Sequence, residues 1–142
     1  MYQQDDYTIS TDKFLLDFDV IHKFISCDSY WGIGRSQEVM RKAIDNSALC
    51  FGVYHGEKQI GFARVISDLA TFGYLADVFI LSKYRGLGLG KWLIHTIVNH
   101  PDLVVLKRII LFTRTPEFYY DAGFNLFDQA NEFKFMERKD KL

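Results

Sequence analysis

Three glycines alternate with other residues in Arg85-Gly86-Leu87-Gly88-Leu89-Gly90-Lys91, between an apolar run and a helical pattern. The run from Gly73 to Leu81 is nearly continuous in apolar side chains, which predicts a central strand covered on both faces. Gly88 to Asn99 places Trp92, Leu93, Thr96 and Ile97 along one side of a helix, with Pro101 just past its end. The glycines let the backbone between strand and helix approach a ligand without interference from Cβ atoms. The first amides of the helix lack internal partners, and the helix dipole adds positive potential there. The connection therefore predicts an anion site suited to a pyrophosphate, with Arg85 and Lys91 adding formal charge.

The rest of the chain supplies a sheet and helices to go with it. Tyr7 to Ser10 reads as a strand. Lys13 to Ser26 reads as one amphipathic helix, with Leu16, Val20, Ile21, Phe24 and Ile25 at helical spacing. Tyr30 to Gly34 reads as a loop. Ser36 caps a helix to about Asp45 that turns Val39, Met40, Ala43 and Ile44 inward. Ala48–Tyr54 and Gln59–Ile66 form a hairpin about His55-Gly56-Glu57-Lys58. Lys107 to Thr113 is a further strand. Thr115 reads as an N-cap and Pro116 as the first residue of a short helix that ends at Gly123. Phe124–Phe127 and Phe133–Met136 read as closing strands. This order predicts a single α/β (α+β) domain over residues 1–142.

With 142 residues, the chain is long enough for one sizeable core, and an aromatic content of 16% makes much of that core rings. A net charge of −1 argues against non-specific binding to nucleic acid or an anionic membrane. No apolar run approaches a membrane span, and the acidic N-terminus does not read as a signal peptide, so the expected location is cytoplasmic. Cys27 and Cys50 both lie in apolar sequence and read as reduced core residues. His22, His55, His95 and His100 show no metal-ligand spacing, so no metal is expected.

The loop fits neither of two familiar phosphate cradles. Trp92 follows Lys91, where a Walker loop needs Ser or Thr, and Gly-x-Gly-x-Gly lacks the spacing of a dinucleotide fingerprint. Arg85, Gly88 and Gly90 do fill the pattern Arg/Gln-x-x-Gly-x-Gly/Ala. Together with Asp77-Val78-Phe79-Ile80-Leu81-Ser82-Lys83-Tyr84 before it and Phe118-Tyr119-Tyr120-Asp121-Ala122-Gly123-Phe124 after it, the loop resembles the GCN5-related N-acetyltransferase (GNAT) family. The resemblance runs from about Phe51 to Phe124. It implies a central mixed, mostly antiparallel sheet with a splayed central strand pair and helices on both faces.

It also implies an enzyme that uses acetyl-CoA as co-substrate. Val78, Phe79 and Ile80 match the strand that pairs with the pantetheine arm. The amides across Gly86, Leu87, Gly88, Leu89, Gly90 and Lys91, beside Arg85, match the pyrophosphate cradle. Tyr119 matches the general acid that protonates the departing thiolate, its spacing to Gly123 selecting it over Tyr120. Members often carry a coenzyme-holding Asn between the strand that here ends at Thr113 and the motif helix; the connection here is shorter and has no Asn, and Thr113 takes part of that role or else caps the strand end. The usual positions of the acidic base match Ala76 and Phe112, which cannot serve. Asp77 is the neighbouring candidate base, although strand alternation turns it away from the side Ala76 faces. Tyr30 and Trp31 are candidates for the acceptor wall, able to pack on an amine.

The expected reaction is acetyl transfer to a primary amine, favoured as a small molecule because no docking patch for a protein is visible. A non-catalytic acyl-CoA-binding module is the alternative. The sequence allows a homodimer without specifying one.

Overall fold

A computed structural model describes residues 1–140. Six strands form one sheet in chain order: β1 (Tyr2–Gln4), β2 (Tyr7–Ser10), β3 (Leu49–His55), β4 (Lys58–Ser67), β5 (Phe72–Ile80) and β6 (Arg108–Ile110). Neighbours are antiparallel except β5 and β6, which run parallel. Three α-helices accompany them: α1 (Phe18–Lys23), α2 (Gln37–Asp45) and α3 (Leu89–Val98). A 3₁₀ helix follows β6 at Pro116–Ala122.

The sheet separates two cores. On one face Phe51, Val53, Ala63, Val65, Leu75 and Ile80 pack with Leu93, Ile94 and Ile97 of α3 and with Tyr119. On the other, Cys50, Phe62 and Phe79 pack with Ile21, Phe24 and Ile25 and with Met40 and Ile44 of α2. Alternation along β3 and β4 feeds both cores from the same strands, which is why these segments are apolar almost throughout.

The expected splay is present. β5 pairs with β6 only from Phe72 to Tyr74, opposite Arg108 to Ile110. Its pairing with β4 continues to Ile80, opposite Gly61. From Leu75 onward β5 therefore has a strand on one side and a cleft on the other.

Several expectations need correction. Lys13 to Ser26 is not one helix. A 3₁₀ turn at Lys13–Leu15 ends at Leu16, and the Asp17 carboxylate, accepting from the Val20 amide, starts α1 afresh. α1 then widens into a π turn at Phe24–Asp28. Val39 faces solvent rather than the core. The Thr115 side chain makes no capping bond, although Pro116 opens the 3₁₀ helix and left-handed Gly123 closes it. Phe124–Phe127 and Phe133–Met136 are not strands: β6 ends at Ile110, and these segments are irregular and mostly exposed, only Phe124 among their apolar side chains packing against the core. Cys27 is exposed, not buried, while Cys50 is buried as expected, and both are free. Among the described residues no helix is long and apolar enough to cross a membrane.

Candidate active site

The glycine connection forms as its sequence requires. β5 ends at Ile80, a 3₁₀ turn spans Ser82–Tyr84, and Gly88 caps α3 in the left-handed conformation. Gly86 and Gly88 both have φ of +79°, which side-chain-bearing residues adopt only with strain. A Cβ at either would meet nothing within 4 Å, so the space above them is open. The amides from Gly86 through Lys91 have no acceptor among the described residues. Arg85 fastens the start of the loop by donating from Nε to the Ile80 carbonyl at 3.0 Å.

Gly90 has a different task. A Cβ there would sit 2.8 Å from Phe118 Cζ, so its missing side chain admits the Pro116–Ala122 helix against α3. Lys91 joins the same two helices through an ion pair with Asp121 at 2.8 Å. The two helices meet beside the loop, and this is what brings Tyr119 to it.

Every residue singled out from the sequence except Leu87 lines one cleft of about 940 Å³ in the splay between β5 and β6. Leu87 projects into solvent, 57% exposed. Tyr119 is nearly buried and meets Phe118 and Phe124 edge-on. Burial, helped slightly by Tyr30, pushes its hydroxyl up to about 12. It is therefore protonated across the neutral range and available as a donor. Thr113 lines the cleft and also accepts from the Thr115 amide at 3.0 Å, closing the turn after β6.

Asp77 lies where alternation did not lead. Phe62 pairs with Phe79 and Arg64 with Ala76, so Ala63 faces two residues, Asp77 and Val78. This is a β-bulge, and Asp77 takes φ of +55° within it, a conformation Asp tolerates better than most residues. The extra residue turns Asp77 to the side where Tyr74 and Ala76 face, instead of away from it. There the Trp31 indole donates to Oδ1 at 2.8 Å, and Arg35 Nη1 and Arg64 Nε donate to Oδ2 at 2.7 and 2.6 Å. Burial alone would raise the Asp77 pKa, but the charges and hydrogen bonds of Arg64 and Arg35 outweigh it and hold the carboxyl below the ordinary value. Both oxygens are committed, so Asp77 is a poor proton acceptor and a strong tether for the loop that carries Trp31 and Arg35.

Tyr30 and Trp31 stand as a wall of the cleft, edge to face at 5.0 Å. Arg114, beyond β6, stacks its guanidinium 3.8 Å over Tyr30, and its amide donates to the Tyr30 hydroxyl. Ala76 and Phe112 line the cleft without any group that titrates, as expected. Sequence reasoning missed Arg35, Arg64 and Tyr74. Arg64 could have been found, because a lone charge inside an otherwise apolar strand needs a buried partner. Among the described residues no group of three His, Cys, Asp or Glu could hold a metal ion.

Comparison with known proteins agrees with this geometry. The family model for the acetyltransferase (GNAT) domain matches residues 46–126. A relative from Gibberella zeae, an acetyltransferase by name, is 32% identical over 79% of this chain and 74% of its own length. The N-acetyltransferase ycf52 of Pyropia yezoensis is 31% identical over 69% of this chain, which spans 60% of that protein. A crystal structure from Xanthomonas campestris pv. campestris, assigned to the GNAT family, superposes with a TM-score of 0.82 at 41% identity, covering 92% of this chain and 93% of that one. On its motifs, its splayed sheet and these relatives, the chain belongs to the GNAT family of acetyltransferases.

Proposed function

We propose that this protein transfers the acetyl group of acetyl-CoA to a primary amine of a small molecule. One convergence carries the reading. The unpartnered amides of the glycine loop, the unpaired length of β5 and the buried phenol of Tyr119 all border one cleft.

In this reading the amides from Gly86 to Lys91 take the pyrophosphate, with Arg85 adding charge, so backbone dipoles rather than a metal neutralise it. The free backbone groups along Val78, Phe79 and Ile80 pair with the pantetheine arm as an added strand would. Thr113 borders the arm from the β6 side. The thioester then lies between Tyr119 and the wall formed by Tyr30 and Trp31. The amine nitrogen attacks the carbonyl carbon, the carbon–sulfur bond breaks, and the thiolate takes the proton of the Tyr119 hydroxyl. Solvent then reprotonates Tyr119. The amine sheds its own proton to water, because Asp77 is engaged by Arg35, Arg64 and Trp31. Asp77 acts as a positioning residue rather than as the base.

The engaged carboxylate also favours a second reading, an acyl-CoA-binding module without turnover. A thiol-release assay across a panel of primary amines, run beside equilibrium binding of acetyl-CoA, separates the two. Release that saturates with an amine supports the enzyme. Tight binding with no release above background on any amine supports the module.

A further inference from the structure

Two guanidinium groups share one carboxylate oxygen beside the cleft, which leaves the Arg35–Asp77–Arg64 cluster with one excess positive charge. The carboxylate is the deepest member. Its side chain is 1% exposed, against 19% for Arg35 and 11% for Arg64. The charge presented to an occupant is therefore that of the arginines. Arg35 bonds Asp77 and the Met40 sulfur through Nη1, while its Nε and Nη2 donors have no acceptor among the described residues. Arg114 stacks on Tyr30 without itself lining the cleft, and has no carboxylate partner among the described residues. The Tyr74 hydroxyl lies in the field of Arg64, Asp77 and Arg35, also without a hydrogen-bond partner among the described residues. The other charges lining the cleft are Asp28, Arg85 and Lys91, and Lys91 is already paired with Asp121.

The walls between these donors are aromatic: Tyr30, Trp31, Tyr74 and Phe112. A flat apolar body would pack against these rings, and an anion at its far end would meet Arg35 and the Tyr74 hydroxyl. A polycationic peptide would instead bring like charge to a cluster that already carries one excess positive charge.

We propose that the acceptor is a small aromatic or apolar amine that also carries an anionic group, a carboxylate or a phosphate, read by Arg35 with help from the Tyr74 hydroxyl. The proposal rests on the acyl-transfer reading of the cleft. Charge-assisted hydrogen bonds between guanidinium and anion are the strong class and give discrimination that a neutral amine cannot match.

Matched acceptors test it. Thiol release from acetyl-CoA would be measured with benzylamine, 4-(aminomethyl)benzoate and 4-(aminomethyl)phenylphosphonate, and with a lysine-rich peptide. The expected result is kcat/KM at least about tenfold higher for an anionic member than for benzylamine, with the lysine-rich peptide below all three. The better of the carboxylate and the phosphonate identifies the anion. Arg35→Gln should bring the ratio toward one. Tyr74→Phe, which keeps the ring and removes a hydroxyl without a partner among the described residues, should lower it several-fold. A second readout needs no turnover: calorimetric binding of 4-methylbenzoate with coenzyme A bound, lost in Arg35→Gln. Equal or better use of benzylamine or of the peptide would overturn the proposal. So would absence of 4-methylbenzoate binding. Anion binding without any acetyl transfer would overturn the acyl-transfer reading and leave the anion site standing.

Discussion

The indole of Trp31 donates to the Asp77 carboxylate at 2.8 Å, joining two residues 46 positions apart in sequence. This bond and the Arg35 ion pair tie the loop between α1 and α2 to the splayed strand β5. The coenzyme strand and the acceptor wall are thus held together by one side chain.

Replacing Asp77 by Asn should therefore weaken both stability and the acceptor wall. Asn tolerates the positive φ, so the backbone stays, but Arg35 and Arg64 lose their shared anion. Removing one partner of such a buried pair costs about 3 kcal/mol. Urea unfolding should show a loss of that order. The KM for acceptor should rise more than the KM for acetyl-CoA, the opposite ranking to that of a variant in the glycine loop.

Tyr119→Phe should lower kcat about a hundredfold or more, the scale of general acid catalysis, with little change in affinity for acetyl-CoA. Burial holds the phenol at about 12, so no loss of activity below pH 10 should trace to its ionisation. Measuring kcat against pH in wild type and variant checks both points. An unchanged kcat, with chemistry shown to limit the rate, would remove Tyr119 from the mechanism.

Gly88 and Gly90 should behave differently despite sharing a loop. Gly88→Ala forces an L-residue to hold φ of +79°, at a cost of about 1–2 kcal/mol, and should weaken acetyl-CoA binding. Gly90→Ala pushes against the Phe118 ring and displaces the helix that carries Tyr119. Its loss should fall mainly on kcat. Calorimetric binding of acetyl-CoA beside steady-state rates separates the two.

Tyr54 has a buried hydroxyl with no hydrogen-bond partner among the described residues. Removing an unsatisfied polar atom loses no bond and relieves its desolvation. Tyr54→Phe should leave the thermal midpoint unchanged or raise it, with a change in stability within about 1 kcal/mol.

Stability should fall on the alkaline side. Burial pushes Cys50 up to about 11, and Tyr54 and Tyr119 up to about 12. The unfolded chain sheds these protons first, from the ordinary values of 9.0 and 10.0, so the folded state loses ground as pH rises from about 9 toward 12. Thermal midpoints across that range should decline, and Tyr54→Phe should soften the decline.

The loop was legible because glycine at positive φ and a helix start leave few alternatives, and Gly123 ending the Tyr119 helix obeyed the same logic. The splay was expected from the family resemblance, and it appears as the early end of pairing between β5 and β6. The side on which Asp77 lies was not legible. It depends on a bulge set by the register between Phe62 and Arg64 on one strand and Ala76 and Phe79 on the next, and alternation within a single strand carries no trace of it. The strands expected at Phe124–Phe127 and Phe133–Met136 had the right pattern, but a strand also needs a partner edge, and β6 stops at Ile110. Arg35, in the same segment as Tyr30 and Trp31, was given no role because its partner lies 42 positions away. Gly90 was read as part of the anion cradle; its close neighbour, Phe118, is visible only once the two helices are packed.

The account stands most directly on the fate of the acetyl group. Mass spectrometry of an amine acceptor after incubation with acetyl-CoA, alongside titration of free thiol, should find one acetyl group gained per thiol released, strongly reduced in Tyr119→Phe. Saturable acetyl-CoA binding with no acetylated amine and no thiol beyond background would contradict it.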